Sequence, residues 1–152
     1  MEKEHVVHTI APVYDQYSKI LILGSFPSVK SREAQFFYGH PQNRFWKVIS
    51  GVLGCSLPVT VEEKRQMLLS HGIAVWDVIA SCEITGSSDS SIERWCPMIL
   101  ERSFGMHPFA PFIPMGERHT SFIGSSVRKL WKGRRSSFPP PARPMPPTAC
   151  PA

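Results

Sequence analysis

A chain of 152 residues with 42% hydrophobic content is long enough to bury one core and reads as a single domain. No stretch approaches the roughly 20 apolar residues of a membrane span, and the start Met1-Glu2-Lys3-Glu4-His5 is too charged for a signal peptide, so a cytoplasmic location is expected. The net charge of +5 suggests nucleic acid, but residues 1–95 carry 9 Lys+Arg against 10 Asp+Glu and residues 96–152 carry 8 against 2, so the excess lies wholly in the tail and is no argument about the domain.

The run Lys19-Ile20-Leu21-Ile22-Leu23-Gly24 predicts a strand buried on both faces of a parallel sheet. It leads into the loop Gly24-Ser25-Phe26-Pro27-Ser28, and loops at the carboxyl ends of such strands are where open α/β sheets build sites. From Asn43 to Leu53, Phe45, Val48, Ile49, Val52 and Leu53 recur at helical spacing, with Gly54 as the stop. A second helix is expected after Thr60, which has capping-box spacing with Glu63, and ends near His71-Gly72. Ile73 to Ala80 reads as another buried strand interrupted by the charge of Asp77. Strand, helix, helix, strand predicts an α/β layered domain with a parallel sheet. The cysteines at 55, 82, 96 and 150 have neither metal-site nor dense disulfide spacing and are expected to be free thiols.

The segment Phe37-Tyr38-Gly39-His40-Pro41-Gln42-Asn43-Arg44-Phe45-Trp46 gathers aromatics, an imidazole, amides and a guanidinium at a helix start. Read from residue types alone, Asn43 caps the helix and Phe45 and Trp46 pack, or the backbone N–H groups there meet an anion. Asp77 among Val75, Trp76, Val78 and Ile79 is costly unless paired. It is either a site residue or a buried carboxylate satisfied by backbone amides.

These strings, Gly24 to Ser28 with Tyr38 to Trp46, and Trp76-Asp77-Val78-Ile79-Ala80-Ser81-Cys82-Glu83-Ile84-Thr85-Gly86-Ser87, closely resemble the deoxyinosine (hypoxanthine) DNA glycosylases of the uracil-DNA glycosylase superfamily. The resemblance runs from about Lys19 to Glu93. It implies a three-layer uracil-DNA-glycosylase-like fold around a central parallel sheet, and a monofunctional hydrolase that removes hypoxanthine, with uracil and xanthine as further candidates, from single- or double-stranded DNA. No metal or redox cofactor and no membrane partner is implied, and a monomer is expected. By the same resemblance Asn43 positions water or polarises the glycosidic bond, Phe26 stacks under the flipped base, Ser25, Tyr38 and His40 line the pocket, and Asp77 reads the base edge. For Phe26 the alternative is core packing, and for Tyr38 and His40 ordinary loop contacts.

Such enzymes continue with a strand, an Asn-Gly turn, a helix and a terminal loop of the type Leu-Pro-Ser-Thr-Ser-Pro-Ala. Residues 96–152 contain none of these and hold 11 of the 15 prolines, which taken alone is the composition of a poorly ordered tail. One nucleotide earlier the pattern returns: Trp95 to Ile99 permits Val-Pro-Asn-Asp, Ile113 to Gly116 permits Thr-Asn-Gly, and Ser137 to Pro146 permits the missing terminal loop. The expectation is a glycosylase domain part over 1–95, in frame to about Arg94, incomplete at its C-terminal end, followed by an out-of-frame tail. A genuine Pro-rich tail, a Rossmann-like domain for a small molecule, and an unstable remnant are the rival readings; the absence of Gly-x-Gly-x-x-Gly or a P-loop counts against the second.

Overall fold

The computed structural model of the chain describes residues 3–86, 88–98 and, for the backbone, 112–114. In chain order these form β1 (Glu4–Val7), β2 (Ile20–Gly24), α1 (Val29–Ala34), α2 (Phe45–Leu53), α3 (Val61–Ser70), β3 (Ile73–Asp77), β4 (Ile79–Ile84), a 3-10 turn Asp89–Ser91, β5 (Glu93–Pro97) and β6 (Phe112–Pro114). Helices and a parallel sheet combine as the sequence predicted.

The parallel sheet has the order β3-β2-β6. Its two apolar runs lie in register from Ile20 opposite Ile73 to Gly24 opposite Asp77. Leu21, Leu23, Ala74 and Val75 are fully buried, which is why these strands carry no polar alternation. Phe112–Pro114 runs parallel on the other side of β2, a strand where the Pro-rich composition suggested none.

The single strand expected over Ile73 to Ala80 is instead two. At Val78 the chain leaves the parallel register: Val78 N–H donates to Gly24 O at 2.9 Å, Ile79 N–H donates to Ser25 O at 3.1 Å, and Val78 O accepts from Met98 N–H at 2.8 Å. Beyond this bend β4 joins a second, antiparallel sheet of order β1-β4-β5. An uninterrupted apolar run does not reveal such a change of partner. Neither β1, largely exposed, nor the short α1 was expected, and the boundary placed at residue 95 falls inside β5. The rest of the tail, including Cys150, lies outside the described residues.

Helix α2 starts two residues later than expected and ends on Gly54 in the left-handed region at φ 69°. It buries Phe45 and Trp46, whereas Val48 and Val52, at the edge of the apolar stripe, are 59% and 76% exposed. Helix α3 begins with the expected capping box: Glu63 N–H donates to Thr60 Oγ1 at 3.2 Å, and Glu63 Oε2 accepts from the N–H groups of Thr60 at 3.0 Å and Val59 at 2.7 Å. The backbone donors of Thr60 and Val59 hold the Glu63 carboxyl below the usual carboxylate range. A depressed folded-state value means that this stabilisation is complete above the unfolded-state pKa and fades as acid protonates the folded group. Thr60→Ala is expected to lose about 1 kcal/mol in urea unfolding at neutral pH, and Glu63→Gln to flatten the acid limb of stability against pH. Cys82 and Cys96 form no disulfide, but Cys55 is disulfide-bonded.

Candidate functional site

The carboxyl ends of β2 and β3 meet the loop that leads into α2 around a cleft of about 230 Å3, lined by Gly24, Ser25, Phe26, Pro27, Ser28, Ser31, Phe37, Tyr38, Asn43 and Asp77. Five of the six residues expected from the sequence, Ser25, Phe26, Tyr38, Asn43 and Asp77, therefore share one wall. His40 does not: it is exposed, and its Nδ1 accepts from Gln42 N–H at 3.1 Å within the turn that its own carbonyl closes onto Asn43 N–H at 2.9 Å. Engaged in that turn, the ring serves the backbone and not the cleft.

Each lining group is set by local structure. Ser28 caps α1, its Oγ accepting from Ser31 N–H at 3.2 Å, while Ser31 Oγ accepts from Gly39 N–H at 3.0 Å and ties the loop down onto the helix start. Tyr38 adopts φ 52°, an uncommon conformation for a bulky residue that is stored where surrounding contacts over-determine it. Here the ring stacks on Phe45 at 3.8 Å and 17°, and the Tyr38 carbonyl accepts from Trp46 Nε1–H at 3.2 Å. Phe26 is 8% exposed, with the Arg32 guanidinium 5.9 Å from its ring centre.

Asn43 lines the cleft and also serves the start of α2. Its Oδ1 accepts from Phe45 N–H at 2.8 Å, one residue before the point where the helix formally begins at its Arg44 cap, which makes no side-chain bond. That bond fixes which way the amide is turned, so the Nδ2 hydrogens are what Asn43 has left to offer a ligand.

Asp77 is 4% exposed, and among the described residues its partner is an imidazole, not a backbone amide. Its Oδ2 meets His8 Nε2 at 2.9 Å, the two side chains being 6% and 1% exposed. Gly24 makes room for that carboxylate: a Cβ there would run into Asp77 Oδ1 and sit 3.5 Å from the Tyr38 hydroxyl. His8 was missed by the sequence reading. It follows a short, mostly exposed strand whose only marks are the β-branched pair Val6-Val7, and nothing local announces that it reaches the end of β3. Ser31 was missed as well, because α1 itself was not foreseen, and Phe37, though part of the quoted segment, was given no role in the site.

In sequence the chain is similar to two proteins named hypoxanthine DNA glycosylase. It is 41% identical over 81 residues to the one from Methanosarcina acetivorans, covering 53% of this chain and 51% of that protein. With the one from Methanosarcina barkeri it shares 34% over 83 residues, covering 54% and 52%. The chain thus spans about half the length of the curated relatives it matches. In structure it is similar to a solution NMR structure from Methanosarcina acetivorans proposed to be a uracil DNA glycosylase, with a TM-score of 0.63, 28% identity, and coverage of 83% of this chain and 76% of that one. The fold is uracil-DNA-glycosylase-like. No family model matches the chain. The resemblance expected from the sequence over about Lys19 to Glu93 thus has counterparts in both sequence and fold. Among the described residues no helix is long and apolar enough to cross a membrane.

Proposed function

We propose that the cleft receives one base flipped from DNA, and that the chain carries the base-binding part of a glycosylase hydrolysing the N-glycosidic bond of deaminated bases, hypoxanthine first and uracil or xanthine as further substrates. The observation that carries this reading is the convergence of an aromatic platform, a donor amide and a buried carboxylate on one small cleft. Water adds at the deoxyribose anomeric carbon and loses a proton. The base departs with the electron pair of the broken C–N bond and is protonated, which leaves an abasic sugar. Phe26 stacks the base with Tyr38 beside it, Asp77 meets its edge with Ser25 close by, and Asn43 offers its Nδ2 hydrogens to the attacking water or to the charge growing on the base. The enzyme would act as a monomer in the cytoplasm on single- or double-stranded DNA.

Size separates this reading from a small-molecule Rossmann-like one. A cleft of about 230 Å3 falls below the roughly 300–1,000 Å3 of sites that enclose drug-sized ligands, and it suits a single ring system better than a dinucleotide.

The reading frame belongs to the same proposal: after about Arg94 the chain is translated one base out of frame. The curated relatives are in keeping with this, since the sequence similarity covers about half of both partners. The β6 strand also fits, because Pro111 and Phe112 give Phe, Leu, Ile or Val in the other frame whatever the wobble base. One apolar residue is therefore encoded at that point in either frame, shortly before the permitted Asn-Gly turn. Resequencing the coding region is expected to show a one-base discrepancy near codon 95; an unbroken frame contradicts it. For the chemistry, a frame-restored protein incubated with a deoxyinosine duplex is expected to release free hypoxanthine, seen by chromatography, and intact deoxyinosine with no free base would contradict the assignment.

A further inference from the structure

The inference concerns His8 and rests on the base-excision reading above. His8 does not line the cleft, yet its ring contacts the two residues expected to touch the base. Its Nε2 lies 2.9 Å from Asp77 Oδ2, and its ring meets Phe26 edge-on at 6.0 Å and 79°. Trp76 at 4.8 Å and Phe37 at 6.4 Å complete an apolar cage. Within it, His8 Nδ1 is buried and has no hydrogen-bond partner among the described residues.

That unpartnered nitrogen assigns the proton. A hydrogen on Nδ1 would be a buried donor with nothing to receive it, which is costlier than a bare lone pair in the same place. The hydrogen therefore belongs on Nε2, pointing at Asp77. Asp77 then accepts at Oδ2, in the acceptor-only role of an ionised carboxylate. Its second oxygen lies against Gly24 on the cleft wall and likewise has only lone pairs to offer.

We propose that His8 is a positioning residue that holds Asp77 as an acceptor-only edge, and so selects bases with a ring N–H where the parent base has a lone pair. Deamination makes that exchange: adenine N1 and cytosine N3 are acceptors, whereas N1 of hypoxanthine and N3 of uracil carry hydrogen. Two lone pairs face each other when adenine enters, and a hydrogen bond forms when hypoxanthine does. Guanine and xanthine both carry N1–H, so this device does not separate them. The expected discrimination thus covers two of the three deaminated bases.

The test uses the full 152-residue chain and free bases as probes, so that no DNA-facing loop is needed. Long-range nitrogen–proton spectra of 15N-histidine-labelled chain at neutral pH are expected to show His8 with the hydrogen on Nε2. A hydrogen on Nδ1, or on both nitrogens, overturns the assignment. In chemical-shift titrations hypoxanthine is expected to bind at least about tenfold more tightly than adenine, the value of one hydrogen bond made or refused. His8→Phe fills the cage without the donor and is expected to bring the ratio to near unity. His8→Gln, whose Nε2 overlays the lost one, should recover most of it. A His8→Phe ratio equal to wild type, or His8→Gln no better than His8→Phe, overturns the proposal. If wild type binds neither base, the base-binding role given to this cleft fails instead, while the imidazole spectrum still decides the His8–Asp77 pair.

Discussion

Asn43→Asp in the frame-restored protein is expected to retain the fold and lose hypoxanthine release by about 10²- to 10³-fold, the scale seen when one preorganised donor is removed from a site of developing negative charge. The carboxylate keeps an oxygen where Oδ1 accepts from Phe45 N–H at 2.8 Å, so the start of α2 survives and the melting curve should stay close to wild type. What changes is the other half of the group: two hydrogens become an oxygen, and a negative charge faces a base that is itself acquiring one. Asn43→Ala removes both halves, and is expected to lose similar activity together with about 1 kcal/mol of stability. The comparison separates a cap from a catalytic donor. If Asn43→Asp were as active as wild type, Asn43 would be only a cap; if it unfolded like Asn43→Ala, the amide orientation assigned to it would be wrong.

Gly24→Ala is the second large effect, and it needs only one methyl group. The added carbon points at Asp77 Oδ1 and stands 3.3 Å from its Cγ. Asp77 cannot swing aside freely, because its other oxygen is held by His8 and both side chains are nearly fully buried. Overpacking of this kind costs about 1–3 kcal/mol, and here the strain falls on a base-contacting group. The expected result is a protein that still folds, unfolds about 1–3 kcal/mol more easily in urea, and no longer prefers hypoxanthine to adenine. Unchanged stability together with unchanged preference would mean that the Asp77 carboxylate does not sit against Gly24 as described.

These two glycine and amide positions show what the sequence made legible. The buried run ending at Gly24, the helix opened by Asn43 and the anomalous charge of Asp77 are each visible in one short window, because burial, capping and the cost of an unpaired charge act locally. Their meeting in one cleft follows from placing the site at the carboxyl ends of β2 and β3. The parts that were not legible depend on long-range pairing. His8 reaches Asp77 across 69 positions of sequence, and no periodicity encodes that. The bend at Val78 is a change of hydrogen-bond partner within a continuous apolar run. His40 stood in the motif and yet faces the solvent, since a turn residue can be required for the backbone that presents its neighbours.

The most direct test of the account is alkaline strand cleavage of a labelled duplex carrying one deoxyinosine, run side by side with the 152-residue chain and with the protein read in the other frame after Arg94. The account predicts cutting by the frame-restored protein and little or none by the 152-residue chain, with the cutting abolished by Asn43→Ala. Equal cutting by both would contradict the frame assignment, and no cutting by either would contradict the glycosylase function itself.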